Sequence, residues 1–146
     1  MSEKYQAKHE ARVLAVEALY ALDFNNMLDE GADLSVFPGK SDEEMAALSE
    51  ETTFYTRFLV QGVLDHRGEI DECISHFSIN RPLERINLVD RNILRISVFS
   101  MLWARDVHPS IVIDEAVKLS QELSNDVTYK FINGLLDALR KEKIGQ

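Results

Sequence analysis

Cysteine occurs once in the 146 residues, at Cys73. A single thiol builds no disulfide framework, so the chain is expected in a reducing compartment, the cytoplasm. The opening stretch MSEKYQAKHE lacks the apolar core of a signal peptide. The longest apolar stretch, Ile86 to Ala104, carries Asp90, Arg91 and Arg95 inside it, and burying even one charge in lipid is costly. No membrane partner is expected. Glycine-rich phosphate loops, His-Glu metal motifs and nucleophile elbows are missing, and no β-alternation of any length occurs. These absences leave an all-α protein that is not an enzyme, with no catalytic residue and no cofactor.

The closest approach to a metal-binding pattern is His66, Glu69, Cys73 and His76, which would share a helix face. A metal needs a closed, usually tetrahedral set. No second Cys or His pair supports these four, and Gly68 interrupts the helix, so no metal is expected. No flanking motif supports Cys73 as a nucleophile.

The formal charge of −9 argues against nucleic acid until its distribution is followed. Residues 26–56 hold eight acids and one lysine, whereas residues 57–105 hold seven arginines against six acids. The acidity is concentrated in one segment, and a locally basic face remains open.

The organising element is Ile86–Ala104, where twelve of nineteen residues are apolar and fall almost all round a helix. Such a helix must be covered on most sides and belongs at the centre of a helical domain. Its polar residues, Asn87, Asp90, Arg91 and Arg95, recur at three and four residues and form a ridge. That ridge reads either as a contact surface or as a solvated face.

Around it, helical periodicity predicts helices over His9–Asn25, Thr52–His66, Ile70–Phe77, Ile111–Leu123 and from about Ser124 to Lys141. Residues 26–50 read as an acidic loop, with a helical turn or two after a Ser41–Glu44 cap. At 146 residues the chain is one domain, with an N-terminal helical half over about 1–79 and a C-terminal half over about 80–146. Gly62 and Gly134 sit in two similar helical stretches, which read either as places where a neighbouring helix approaches closely or as a coincidence between two amphipathic helices.

Two places suit RNA. Lys4, Lys8, His9 and Arg12 gather at the start of the first helix, where they could track phosphates. Lys130 and Phe131, beside Tyr129, join cation to aromatic in the manner of single-strand binders. Phe131 also falls at helical spacing from Leu135, which is the pattern of a core residue.

Four blocks then carry a resemblance over nearly the whole chain outside 26–50. They are Ala11-Arg12 with Ala15–Tyr20, Asp90–Ile96, Ile113–Leu119 and Lys130–Asp137. In this order and spacing the chain resembles the NusB family of bacterial transcription antitermination factors. The resemblance implies a NusB-like fold of two packed helical bundles around a central buried helix, with about seven helices. It implies binding of boxA-containing RNA together with the ribosomal protein NusE, within an RNA polymerase antitermination complex, notably on ribosomal RNA operons. It also implies partner-binding positions at Asp90, Arg91 and Tyr20.

The arginine-rich segment of such proteins is thinned here to Lys8, His9 and Arg12, with Glu10 placing an acid among them. Ser100 replaces a glutamate common near the end of the central helix. Related domains precede the catalytic part of some RNA methyltransferases, and a free-standing factor is expected here, as monomer or homodimer. The alternative reading is a helical interaction module that binds NusE or itself without significant RNA contact.

Overall fold

Ser2 starts the first helix: its hydroxyl accepts the Tyr5 amide at 3.1 Å, satisfying one of the donors that a helix N-terminus leaves open. The computed structural model describes residues 2–145. Among them lie seven α-helices and no strand, the all-α class that the periodicity predicts and the number of helices that the resemblance implies. No helix of the described residues is long and apolar enough to cross a membrane. The chain divides into two compact units, one ending at Asp65 and the other beginning at His66.

The first unit holds α1 (Glu3–Phe24), α2 (Asp42–Ala47) and α3 (Glu50–Asp65). α1 packs on α3, and Ala11, Leu14, Ala15, Ala18 and Leu19 recur at helical spacing and are buried, as are Leu59, Val60 and Val63 of α3. Inside this apolar contact the Thr56 hydroxyl donates to the Thr52 carbonyl (2.7 Å) and reaches the Ala11 carbonyl (3.4 Å). The small Ala11 side chain lets α3 approach closely enough for that bond. α2 begins with the expected capping box: the Ser41 hydroxyl accepts the Glu44 amide, and the Glu44 carboxylate accepts the Ser41 amide, each at 3.1 Å. The acidic segment is tethered rather than loose. Phe37 is buried, Arg57 lies 5.7 Å from its ring, and Arg57 Nε donates to the Leu34 carbonyl at 2.8 Å.

The second unit holds α4 (Arg67–Phe77), a 3-10 turn (Leu83–Arg85), α5 (Leu88–Phe99), a π-helical segment (Ser100–Ala104), α6 (Pro109–Leu123) and α7 (Tyr129–Lys143). The boundary falls at 65/66 rather than near residue 79, because α4 packs with α5 and α7. α5 contacts α4, α6 and α7, and nine of its twelve residues are buried, the coverage that an all-round apolar helix requires. Ile93, Leu94, Ile70, Ile74, Leu119, Ile132, Leu136 and Leu139 are fully buried, each contributing about 1.5–3 kcal/mol of transfer free energy.

The central helix does run to Ala104, with its last turn widened. Arg105, left-handed at φ 54°, donates its amide to the Ser100 carbonyl at 2.9 Å, closing a π-type turn. α6 opens with Pro109 at its first position, where the missing N–H costs nothing. Asn125 Oδ1 accepts the Val127 and Thr128 amides (2.9 and 3.0 Å) and turns the chain into α7.

Two packing questions left open by the sequence are answered. Gly134 admits no neighbouring helix: it is exposed, and a Cβ there would meet nothing within 4 Å. The polar ridge of α5 divides: Asp90 and Arg95 turn inward, at 1% and 3% exposed, while Asn87 is exposed and Arg91 half-buried.

Candidate nucleic-acid and partner interface

On α1, Lys4, Lys8 and Arg12 follow at four-residue steps and so stand on one side of the helix. Lys4 is exposed and Lys8 half-buried. Lys8 Nζ lies 5.1 Å from the centre of the Tyr55 ring, and Arg12 Cζ lies 5.7 Å from the same ring. Tyr55 of α3 thus forms a platform under two cations, an attraction of the ring quadrupole for positive charge. His9 stacks on Tyr5, with centroids 6.3 Å apart and planes within 8°.

Arg12 does not stand free as a phosphate contact, because the α1–α3 packing leaves it only 6% exposed. Glu10 is exposed, but two residues from Lys8 it points to the other side of the helix, since i and i+2 do not face each other. The acid therefore does not interrupt the stripe, contrary to its appearance in the linear sequence.

In the second unit Phe131 is half-buried, with Arg81 Cζ 4.5 Å from its ring centroid. Arg81 and Lys130 are both exposed, Arg81 over the ring and Lys130 next to Phe131 in the chain. The Ser78 hydroxyl donates to the Arg81 carbonyl, and Asn80 takes a left-handed φ of 62°, which sets the turn carrying Arg81. Sequence reasoning treats Asn80-Arg81-Pro82 only as punctuation and misses Arg81. Its ring partner lies fifty residues further along the chain, beyond any local pattern. Beside Lys130, a groove of about 450 Å³ is lined by Lys118, Gln121, Tyr129 and Asn133, with Asp114 at its side.

The three residues implied as partner contacts separate. Tyr20 is 38% exposed and stacks on the exposed Phe24, with centroids 6.1 Å apart and planes within 6°. Arg91 is half-buried, and its Nη1 donates to the Leu83 carbonyl at 3.3 Å. Asp90 presents no exposed carboxylate to a partner. Its oxygens accept from Asn87 Nδ2 (2.6 Å), Ser120 Oγ (2.9 Å) and Ser124 Oγ (3.1 Å), while its own amide donates to Asn87 Oδ1 (2.8 Å). Asp90 thereby ties the first turn of α5 to the last turn of α6. Arg95 is engaged in the same inward way: Nε and Nη2 donate to the two Asp71 oxygens (2.8 and 3.1 Å), and Nη1 donates to Asn92 Oδ1 (2.9 Å). A buried guanidinium with a bidentate carboxylate is a satisfied structural pair.

Three of the four residues of the metal-like pattern, Glu69, Cys73 and His76, line one groove together with Glu142, and His66 lies outside it. His66 stands just before α4 without a capping bond from its side chain, and stacks on Trp103 at 4.7 Å and Phe99 at 6.1 Å. His76 Nε2 faces Glu142 across 3.7 Å. Cys73 is half-buried, and burial pushes its thiol pKa up, with Lys143 opposing. Among the described residues no group of three or more His, Cys, Asp or Glu could hold a metal ion.

These features define an all-α, two-unit protein in which Lys8, Arg12 and Arg81 lie over aromatic rings while the buried Asp90 and Arg95 are satisfied by partners inside the second unit, an arrangement suited to binding. The chain belongs to the NusB family, whose model matches residues 9–141. Among its relatives, the transcription antitermination protein NusB of Thermobifida fusca (strain YX) is 37% identical over 143 residues, covering 97% of this chain and 94% of that protein. The protein of the same name from Enterococcus faecalis is 34% identical over 145 residues, with 97% and 94% covered. Among solved structures, T. maritima NusB superposes with a TM-score of 0.79 at 25% identity, covering 92% of this chain and 91% of that one. The antitermination factors NusB and NusE in complex with dsRNA give a TM-score of 0.74 at 24% identity, covering 94% and 98%, and share the fold.

Proposed function

We propose that this chain is a transcription antitermination factor that binds boxA-containing RNA together with the ribosomal protein NusE and joins an RNA polymerase antitermination complex, notably on ribosomal RNA operons. The observation that carries this reading is family membership across residues 9–141, with relatives named for antitermination that align over 97% of the chain. The related NusB solved with NusE and dsRNA supports the choice of partners. The factor acts in the cytoplasm, where nascent RNA is made, and performs no catalysis of its own.

The contacts we assign follow from exposure and chemistry. Lys4 and Lys8 neutralise phosphates along α1, with Tyr55 holding Lys8 and Arg12 in place, and His9, stacked on Tyr5, adds a ring on the adjoining side of the helix. Phe131 stacks an unpaired base while Arg81 and Lys130 meet the flanking phosphates. Tyr20, with Phe24, offers NusE an exposed aromatic pair, and Arg91 stands beside the α5 start. Within the second unit Asp90 acts indirectly, by fixing α5, which carries Arg91, against α6.

Polarisation of labelled boxA RNA, with and without NusE, tests the reading. Binding that tightens when NusE is added supports it. NusE binding without any RNA affinity would leave the chain a helical interaction module.

A further inference from the structure

The outer side of α3 carries a surface that borders the Lys8–Tyr55 contact, since Phe58 stacks on Tyr55 with centroids 5.8 Å apart. Glu51, Phe54, Phe58, Gln61 and Asp65 follow at three- and four-residue steps and share one face of the helix. Phe54 is 71% exposed and Phe58 36%, an unusual investment of aromatic surface in water. No cation of α3 stands on this stripe. Arg57, the helix's only basic residue, is turned to the acidic segment by its bond to the Leu34 carbonyl and its position over Phe37. Acids bracket the two rings. Glu50 and Glu51 are exposed at the N-terminal end, and Asp65 is exposed at the other, oriented by the 2.8 Å bond from Gln61 Nε2.

We propose that this face docks a cationic amphipathic segment of a partner protein. Its apolar side chains cover Phe54 and Phe58, and its lysines or arginines meet Glu50 and Glu51 at one end and Asp65 at the other. Charge complementarity selects this occupant. A second copy of the chain, related by a two-fold axis, would set the Glu51 end against either the Asp65 end or itself. Acid meets acid in both arrangements, which costs affinity. RNA is repelled by the same carboxylates, which sets the Glu51–Asp65 face apart in charge from the Lys4–Lys8 stripe that it borders at Tyr55. A ring pair at the centre with charges around it is the usual anatomy of a protein–protein contact.

The test uses the full chain, isotope-labelled, and three synthetic helical peptides. One carries leucines at i, i+3, i+4 and i+7 flanked by lysines, the second replaces the lysines by glutamates, and the third replaces the leucines by serines. The leucine–lysine peptide should shift amides within 50–65 and bind more weakly as salt is raised. The other two should bind at least about tenfold more weakly, since apolar anchor and charge are both required. Phe54→Ser should weaken the first peptide about tenfold, the loss expected on truncating an aromatic anchor, with an unchanged melting curve. Paired Glu51→Lys and Asp65→Lys substitutions, which remove no packing, should do the same. A footprint away from α3 would overturn the proposal, as would equal binding of the glutamate or serine peptide or wild-type affinity in Phe54→Ser. Sedimentation equilibrium showing a homodimer that Phe54→Ser dissolves would also overturn it, in favour of a second copy.

Discussion

Replacing Asp90 measures how far the interior of the second unit depends on a charge. Its carboxylate is 1% exposed and accepts three side-chain hydrogen bonds, at 2.6, 2.9 and 3.1 Å. A hydrogen bond to a charged group contributes about 1.5–3 kcal/mol. The three do not add, because Ser120 and Ser124 can turn their hydroxyls toward backbone carbonyls once the acceptor is gone. Breaking a buried charged network by removing one member costs about 3–5 kcal/mol, and Asp90→Ala is expected in that range. At about 2–4 °C per kcal/mol for a chain near this length, Tm falls by about 10 °C. Asp90→Lys should cost more, since it places an unpaired ammonium among groups that donate hydrogen bonds. Ser124→Ala, which removes the longest of the three bonds, should cost least. Thermal and urea unfolding followed by far-UV circular dichroism give the comparison. If Asp90→Lys melts within about 2 °C of the parent, the behaviour of an exposed substitution, the network does not hold α5 to α6 and the reasoning fails.

Gly134→Ala should stabilise α7 by about 0.5–1 kcal/mol, because the position is helical, exposed and open around the missing Cβ; a loss of stability in urea would show a close neighbour after all. The Ser41 amide and hydroxyl hold the Glu44 carboxyl below the ordinary carboxylate value. A depressed folded-state pKa contributes stability above the unfolded value and loses it as pH falls through the folded value. Amide shifts of residues 42–47 should therefore stay constant at neutral pH and move toward unfolded values only on acidification below the carboxylate range; movement near neutrality would contradict the cap. Changing Lys4 and Lys8 together to alanine should weaken RNA of every sequence alike and lower the log–log salt slope by about 0.7 per lost contact. The melting curve should barely move, since a cation–π contact at an exposed site contributes only about 0.5–1 kcal/mol. An unchanged salt slope would send the phosphate contacts elsewhere.

Features set by neighbours in sequence are legible in the sequence. The Ser41–Glu44 box and the all-round apolar pattern of α5 each follow from residues within a turn or two of one another. What fails depends on partners far along the chain. A carboxylate on a helix belongs to solvent by default, and nothing near Asp90 announces that Ser120 and Ser124 will reach it. Arg95 and Asp71 conceal their pairing in the same way, as do Arg81 and Phe131. Glu10 is a different failure, in which charge is counted along the chain instead of around the helix. Lys8 and Glu10 are close in number and on opposite sides in space. Glu10→Arg should then leave the salt slope of RNA binding unchanged, although the linear sequence suggests an added contact. The basic start of α1 is legible as a cluster, but the Tyr55 platform beneath it is supplied by another helix.

Terminator read-through by a reconstituted polymerase with NusE tests the functional reading most directly, on templates with an intact or a scrambled boxA. Adding this chain should raise read-through on the intact template alone, and Lys4→Ala with Lys8→Ala should reduce the gain. Equal termination on both templates, with or without the chain, would contradict the assignment of this protein to antitermination.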